Sequence, residues 1–282
     1  MSKMVIFGTG YSAQVLASRL RRMGWSVCGT GRAGDIAFED EEAVRRALAD
    51  ATHILSSVPP DKAGADPVLR RYGSLIAGSP AQWIGYLSST GVYGDTGGAW
   101  VDESAPVGTG RRVARVEADL GWQRLDPRVR VFRLPGIYGP GRSALDRVQG
   151  GHAHRIDLPD QVFSRVHVDD IAGGLIASFT APAGVYNLAD DLPASQNAVI
   201  EEACRLLSLP VPPLQSLEQA ALSPMALAFY AENRRVANGR ARRVLGWVPR
   251  YPTYREGLRA LSATTSPASA STPPAAASRL QR

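Results

Sequence analysis

Short apolar runs alternate along this chain with stretches in which apolar residues recur at helical spacing. Residues 4–7 form the first apolar run, and Leu16 and Leu20 then fall on one face of the helix that follows it. The alternation continues to about residue 134 and predicts an α/β fold, a doubly wound parallel sheet with helices on both faces. We expect strands at 4–7, 26–30, 53–58, 83–88, 129–134 and 162–168. We expect helices from Tyr11 and over 41–49, 68–77, 112–125, 169–179, 196–208 and 217–232, and a final helical segment over 239–261 that is broken around 247–252.

The second half of the chain differs from the first in composition and in the spacing of its apolar residues. After about residue 136 glycine, proline and loop residues become frequent, and helical patterns return only between further loops. This change predicts a smaller, discontinuous C-terminal substrate domain. From residue 263 the chain is nearly all Ala, Ser, Thr and Pro, which cannot bury enough apolar surface to become ordered. We assign 1–140 with 162–190 to the parallel-sheet domain, 141–161 with 191–262 to the substrate domain, and 263–282 to a disordered tail.

The formal charge of +6 and the isoelectric point near 9.6 raise the question of a nucleic-acid partner. Of the 32 basic residues only Lys3 and Lys62 are lysine, and the arginines are spread along the chain rather than clustered with aromatic residues. This spread is typical of arginine-biased codon usage, so we expect no nucleic-acid partner. A positive field still favours an anionic cofactor or substrate.

Cysteine usage and hydropathy exclude several other classes of protein. Cys28 and Cys204 are too few for a disulfide framework and lack the paired spacing of a zinc site, so we expect no metal. No run approaches the roughly 18 apolar residues of a membrane span. The apolar start at residues 4–7 is too short for a signal peptide. The sequence therefore predicts a cytoplasmic protein without membrane contact.

The turn after the first apolar run has the pattern of a dinucleotide-binding loop. Gly8 permits a tight turn, Gly10 lets the backbone approach a pyrophosphate, and Ala13 lets the helix pack closely on the sheet. The helix that begins near Tyr11 and Ser12 offers free N–H groups and the positive end of its dipole to phosphates. The parallel-sheet domain is therefore predicted to be an NAD(P)-binding Rossmann domain.

The end of the second predicted strand indicates which dinucleotide binds. An NAD site usually carries Asp or Glu there for the ribose 2′-hydroxyl, whereas an NADP site offers arginine. This chain has Thr30 and Arg32 at that point, and both could hydrogen-bond a 2′-phosphate. We predict NADP as the cofactor. NAD is the alternative if Arg32 is only a solvated loop residue.

Several longer motifs point to one family. They are YLSSTGVYG at 86–94, RLPGIYGPG at 133–141, HVDD at 167–170, VYNL at 185–188, RVLGWVP at 243–249 and YREGL at 254–258. Together they resemble the extended short-chain dehydrogenase/reductase family, also called NAD-dependent epimerase/dehydratases, and within it the atypical branch similar to nucleoside-diphosphate-sugar epimerases. The resemblance covers nearly all of 4–261. It implies further cofactor contacts at Val58, Pro59, Ser88 and Pro135.

The catalytic residues that this resemblance implies are only partly present. Ser89 occupies the place of the Ser or Thr that hydrogen-bonds the reacting oxygen. The proton-handling Tyr and its Lys are replaced by Thr109 and Val113, neither of which can move a proton. Sugar dehydratases of the family carry Asp and Glu directly after the catalytic Thr. Because this chain has Thr90 and Gly91 there, dehydration is disfavoured.

Two residues are our candidates to replace the missing pair. We choose Arg112, beside Arg111 and Arg115, for the electrostatic role of the lysine, and Tyr93 for a substitute acid. The alternatives are a solvated arginine face and a structural tyrosine. The sequence thus favours an enzyme, an NAD(P)-dependent oxidoreductase or epimerase. The alternative is a non-catalytic NADP(H)-binding sensor, which the loss of Tyr and Lys would permit.

A loop-rich segment carries the candidate substrate contacts. Arg142 and Arg147 lie in it and Arg165 follows, with His152 and His154 between them. Guanidinium groups bind carboxylates and phosphates, so we expect a small anionic or nucleotide-linked substrate. A solvated basic surface is the alternative. The chain could also form a homodimer.

Overall fold

The computed structural model describes residues 2–108, 110, 113–220, 222 and 224–265. The strands are β1 (Lys3–Phe7), β2 (Ser26–Thr30), β3 (His53–Ser56), β4 (Trp83–Ser89), β5 (Trp100–Val101), β6 (Val129–Leu134), β7 (Gly136–Tyr138), β8 (Arg155–Ile156), β9 (Arg165–His167), β10 (Gly184–Asn187), β11 (Leu214–Gln215) and β12 (Arg235–Val236). The helices are α1 (Tyr11–Arg22), α2 (Glu41–Leu48), α3 (Pro67–Ala77), α4 (Val113–Leu125), α5 (Ala144–Gln149), α6 (Val168–Ala177), α7 (Gln196–Leu207), α8 (Pro224–Tyr230), α9 (Gly239–Leu245) and α10 (Tyr254–Thr265).

Six of the strands form one parallel sheet in the order β10–β6–β4–β3–β1–β2, which confirms the predicted doubly wound sheet. The residues of β1 from Met4 to Phe7 are all buried, because an inner parallel strand is covered on both faces. From β1 the chain crosses to β2 on one side, and from β3 onward it builds the sheet on the other side. The switch point therefore lies between β1 and β3, where sheets of this kind bind ligands.

Helices cover both faces of the sheet, as the alternation predicts. On one face α1 and α6 pack together, and Leu16, Leu20 and Ile171 belong to a shared apolar cluster. On the other face α2, α3 and α4 contribute to a second cluster that contains Tyr72 and Trp122. These two cores hold the carboxyl ends of the strands in place. Within the described ranges, none of the helices is long and apolar enough to cross a membrane.

A third apolar cluster lies outside the sheet. Helices α5, α7 and α10 surround it with Leu145, Ile200 and Leu258. These helices come from the segments assigned to the substrate domain, whose boundaries stay a prediction. Helix α9 differs from them, because Ala241 and Leu245 pack into the sheet core instead. The residues of α9 therefore belong to the sheet side of the molecule.

The strand predicted at 162–168 is shorter than expected and lies outside the main sheet. Only Arg165–His167 form β9, which pairs with the three residues of β7. The chain turns directly into α6, where His167 is the N-cap and its Nδ1 accepts the N–H of Asp169 at 3.1 Å. A short partner strand and an immediate helix cap therefore limit the strand to three residues.

Other predicted boundaries also differ from the structure, and β3 ends at Ser56, two residues before the predicted end of that strand. In the helix predicted over 217–232, residues 217–220 form a turn, and the helical part described is α8, which begins at Pro224. Proline is favoured in the first turn of a helix because its missing N–H would have no partner there. At the C-terminus α10 extends to Thr265, so 263–265 are helical and not part of the predicted tail. The remainder of that tail, 266–282, lies outside the described residues.

Candidate functional site

A cavity of about 1160 Å³ opens at the carboxyl ends of the central strands. Its walls come from the segments that follow β1, β3, β4 and β6, which all end at the same edge of the parallel sheet. Predicted cofactor residues that line it are Gly10, Tyr11, Ser12, Pro59, Ser88 and Pro135. The fold thus brings together residues that are up to 125 positions apart in the sequence, from Gly10 to Pro135.

The glycine turn shapes the part of this cavity at the start of α1. Gly8 has a φ of +83°, and a Cβ there would lie 2.8 Å from Cγ2 of Val58, so only glycine fits. The N–H groups of Gly8 and Thr9 donate to the carbonyl of Thr30 at 3.1 and 2.9 Å. Val58 thus packs against the turn and does not line the cavity.

Gly10 differs from Gly8, because it leaves open space at the start of α1. Its φ of −79° suits any residue, and a Cβ there would meet nothing within 4 Å. As the N-cap of α1 it offers no side chain to the first N–H groups of the helix, and these remain available to a ligand. Ala13 is buried at the helix–sheet contact, as its predicted role requires. This end of the cavity fits the pyrophosphate of a dinucleotide.

The end of β2 holds the residues that were predicted to bind a 2′-phosphate. Thr30 is only 1% exposed, and its hydroxyl faces the N–H of Gly8 at 3.3 Å, so it shapes the turn instead of reaching solvent. Arg32 is exposed just beyond it. Sequence reasoning missed Asp35, whose Oδ1 accepts the N–H of Gly29 at 3.1 Å and places a carboxylate at the same strand end. The sequence signal was an aspartate three residues after Arg32.

Ser89 lies where β4 ends and a 3₁₀ helix (Thr90–Tyr93) begins. Its Oγ accepts the N–H of Gly91 at 3.1 Å, and its side chain lines the cavity. Because the oxygen acts as acceptor in that bond, the hydroxyl hydrogen can still be donated into the cavity. The adjacent Ser88 also lines the cavity, but its hydroxyl donates to Asp119 Oδ2 at 2.6 Å.

Tyr93 is not placed to act as the substitute acid. Only 1% of it is exposed, and its hydroxyl donates to Asn187 Oδ1 at 2.8 Å and accepts from Arg133 Nη1 at 3.1 Å. Burial raises the pKa of this phenol. The apolar surroundings of the 3₁₀ helix turn the ring into the core, so Tyr93 has a structural role.

That hydroxyl belongs to a buried polar network that joins β4, α4, β6 and β10. At its centre is a bidentate ion pair. Arg133 donates from Nη2 to Asp119 Oδ1 at 2.8 Å and from Nε to Asp119 Oδ2 at 3.1 Å. Asp119 is fully buried, and Arg133 is 3% exposed. Each partner satisfies the other's hydrogen-bonding groups, and Ser88 connects this network to the cavity wall.

Arg115 is the arginine of the predicted catalytic segment that lies among the described residues. Arg112 and Thr109, the positions discussed from the sequence, lie outside the described residues. Val113 begins α4 and is 60% exposed. Two residues later Arg115 lines the cavity, and its Nη1 donates to the hydroxyl of Tyr86 at 3.2 Å.

The three predicted substrate arginines all line the same cavity but differ in their partners. The guanidinium of Arg142 is exposed and lies 5.7 Å from the ring centre of Tyr11. Arg165 is buried and donates to the carbonyls of Phe163 and Ala194 at 2.7 and 2.9 Å. Burial lowers the pKa of Arg165 to about 10. The residues His152 and His154 line the cavity as well.

Behind Arg165 lies a buried carboxyl group that sequence reasoning did not single out. Burial raises the pKa of Asp190 to about 8, and the nearby charge of Arg165 offsets this only partly. In an unfolded chain an aspartate has a pKa of about 3.9, so between these values the folded state keeps a proton that the unfolded state has lost. This carboxyl group by itself therefore favours folding at low pH, and its contribution to stability falls as the pH rises towards 8, by at most about 1.4 kcal/mol per pH unit.

Replacing this group should remove the penalty. We expect Asp190→Asn to gain stability relative to the parent protein, by an amount that grows as the pH rises from about 4 to about 8. Urea unfolding at several pH values across this range measures the difference. Asp157→Asn, at an exposed position, is the control. An Asp190→Asn difference that does not change with pH would contradict the assignment.

The sheet order, the glycine turn and the cavity define a class of fold: that of the NAD-dependent epimerases and dehydratases of the short-chain dehydrogenase/reductase type. The resemblance that the motifs imply is thus confirmed at the level of the fold. The chain belongs to one family with a functionally unknown conserved protein of Silicibacter pomeroyi. The two are 43% identical, with 94% of this chain and 99% of that chain covered and a TM-score of 0.83.

More distant solved structures share the fold alone. A human epimerase family protein, solved with NADPH, is 17% identical over 93% of this chain and 99% of its own, with a TM-score of 0.75. The UDP-glucose 4-epimerase of Thermotoga maritima, solved with UDP-glucose, is 14% identical over 93% and 97%, with a TM-score of 0.71.

Among curated proteins, a 3-diazoavenalumate denitrifying reductase of Streptomyces sp is 36% identical over 143 residues. This match covers 45% of this chain and 45% of that protein, so it spans about half of either one. No protein-family model matches the sequence.

Proposed function

We propose that this protein is an NADP(H)-dependent reductase that acts on a small anionic substrate. The observation that carries the proposal is that one cavity joins the open N-terminus of α1, the hydroxyl of Ser89 and a group of arginines that includes Arg147. A bound nicotinamide cofactor supplies a hydride. The human epimerase family protein with the same fold was solved with NADPH, which supports this choice of cofactor.

Some residues of the cavity bind the cofactor, and others assist the reaction. The first N–H groups of α1 bind the pyrophosphate across Gly10, and Arg32 pairs with the 2′-phosphate. Ser89 donates its hydroxyl hydrogen to the substrate atom that becomes negative as hydride arrives. Arg115 adds positive charge to the same cavity and favours this build-up of negative charge.

Reduction fits these residues better than epimerisation does. An epimerase that works through a nicotinamide cofactor must first oxidise its substrate, and for this a base has to remove a hydroxyl proton. The family's Tyr and Lys positions are Thr109 and Val113, and Tyr93 is buried with a raised pKa. Reduction needs only a hydride and a proton, and a hydroxyl or solvent can deliver the proton. The Streptomyces relative, itself a reductase, supports this direction.

The experiment that tests the proposal is NADPH oxidation with a panel of small anionic acceptors. We expect Ser89→Ala to lower kcat by about a hundredfold, because it removes one donor to the developing charge. NADPH affinity should change little. Ser18→Ala, at an exposed position of α1, is the control and should retain full activity. Unchanged kcat in Ser89→Ala would overturn the assigned role.

The second candidate is a non-catalytic NADP(H) sensor. The replacement of Tyr and Lys by Thr109 and Val113 favours it, since a sensor needs cofactor binding without proton transfer. Tight NADPH binding with no turnover of any acceptor in the panel would select this function. Turnover that depends on Ser89 would select the reductase.

The preference for NADP depends on Arg32. We expect Arg32→Gln to weaken NADPH binding by about tenfold, since a charge-assisted hydrogen bond to the 2′-phosphate is lost, and to leave NADH binding unchanged. Dissociation constants for both cofactors measure this difference. Arg22→Gln, at the exposed end of α1, is the control. If the parent protein binds NADH more tightly than NADPH, the NADP assignment is wrong.

A further inference from the structure

Among the cavity arginines, Arg142 and Arg147 make no hydrogen bond or ion pair through their guanidinium groups with the residues that the structure describes. Arg142 lies 5.7 Å from the ring centre of Tyr11, whereas Arg147 has Tyr230 as an electrostatic neighbour. Arg165 donates to two carbonyls and to Gln196 Oε1 at 3.3 Å. Arg234 donates to the carbonyl of Gly94 at 2.6 Å and pairs with Glu232. Arg147 makes no such bond and opens onto the cavity.

The nearby carboxylates are already engaged. Asp146, next to Arg147 on α5, accepts from the N–H and the hydroxyl of Ser143 at 2.7 and 2.6 Å, which closes the capping box of that helix. Glu232 holds Arg234 at 2.9 Å. Neither of these carboxylates is bonded to Arg147, so this end of the cavity is positive.

The surroundings of Arg147 make an anion favourable. Desolvation by the cavity walls lowers the pKa of Arg147, although the residue as a whole is exposed. The charge of Arg147 also lowers the pKa of Arg165, so the two cations repel each other. A ligand carboxylate between or beside them would relieve this repulsion. Guanidinium binds such a group through two parallel hydrogen bonds.

The wall beside these arginines is aromatic. The rings of Phe163 and Tyr230 meet edge to face, with centres 5.6 Å apart, and both line the cavity. Phe229 on α8 is 50% exposed and lines the cavity too, together with Ile200 and Leu222. A surface of this kind packs well against a flat apolar ring.

We infer that the substrate end of this cavity binds an aromatic carboxylate, with Arg147 holding the carboxylate and the Phe163–Tyr230 wall holding the ring. The inference rests on the proposed reductase function, because it names the substrate class of the same site. It assigns Arg147 to substrate binding and gives Arg165 the role of supporting the wall. It also predicts that a nucleotide sugar is not the substrate.

Binding can be measured without turnover, by calorimetry on the full chain saturated with NADP⁺. The probes are 3-phenylpropanoate, its methyl ester, which has the ring without the charge, 3-cyclohexylpropanoate, which has the charge without the aromatic ring, and UDP-glucose. We expect 3-phenylpropanoate to bind at millimolar concentration or below and both analogues to bind about tenfold more weakly. Equal affinity for the ester, tighter binding of UDP-glucose, or no binding of the acid would overturn the inference.

Variants locate the site. Arg147→Gln should weaken binding of 3-phenylpropanoate by about tenfold, and Arg147→Lys should recover part of it, since the charge returns without the planar fork. Arg205→Gln, on an exposed face of α7, is the control and should bind like the parent protein. Equal binding by Arg147→Gln and the control would overturn the assignment. This binding assay needs no hydride transfer, so its result is independent of the NADPH oxidation assay. The acid can fail to bind although the protein oxidises NADPH with another acceptor, and it can bind although the protein oxidises no NADPH.

Discussion

Replacing Asp119 by alanine should lower the free energy of unfolding by about 3–5 kcal/mol, because it leaves a buried guanidinium without its partner. Asp119 is fully buried, and its carboxylate accepts two hydrogen bonds from Arg133, one from Ser88 and one from Gln123. Water cannot replace these bonds in the interior. The loss is a large part of the total stability of an ordinary domain, so the variant should unfold at much lower denaturant concentration.

Denaturant unfolding followed by circular dichroism measures this loss. The matched control is Glu41→Ala, which removes a carboxylate from an exposed pair with Arg45 at 3.2 Å. That change should cost only about 0.5 kcal/mol, because both charges stay in water. If the two variants lose similar stability, the Asp119–Arg133 pair does not support the core as described.

Replacing Gly10 by valine should weaken NADPH binding by about a thousandfold while the protein stays folded, since several charge-assisted hydrogen bonds to the pyrophosphate would be lost together. The backbone at Gly10 has an ordinary φ of −79°, and a side chain there meets no protein atom within 4 Å. The added methyl groups therefore extend into the cavity and block the N-terminus of α1. Stability should fall by at most about 1 kcal/mol, the difference between these residues as an N-cap.

Two measurements separate binding from folding in this variant: the dissociation constant for NADPH and the melting temperature. Ser18→Val places the same side chain at an exposed position of α1 and should bind NADPH normally. A Gly10→Val protein that melts normally and binds NADPH as tightly as the parent would show that the dinucleotide lies elsewhere. A protein that melts far lower would show that Gly10 is needed for the fold.

The sheet and the glycine turn could be predicted because their signals are local. A buried inner strand must be apolar along its length, as residues 4–7 are, and a turn with positive φ needs a glycine such as Gly8. The strand at 162–168 was predicted too long, because the length of β9 is set by its three-residue partner β7. Pairing partners are distant in sequence and leave no local signal.

The candidate site also contains features that the sequence predicted and features that only the structure shows. The sequence placed Ser89 and the three arginines in one functional set, and the structure puts them in one cavity. The sequence left open whether Tyr93 is catalytic or structural, and it carries no local signal that Arg165 donates to the carbonyls of Phe163 and Ala194. A tyrosine or arginine looks the same in sequence whether its polar end is free or bonded.

By itself, then, the sequence determined the doubly wound sheet and the turn from Gly8 to Ala13, since spacing and residue type decide both. The tertiary structure decided which polar groups remain available for a ligand. The same fold uses Asp119 to neutralise Arg133 and leaves the guanidinium of Arg147 without a hydrogen bond or ion pair among the described residues. Burial and hydrogen bonding depend on segments far apart in the chain, and only their packing shows whether a charge is already neutralised or still available to bind an anion.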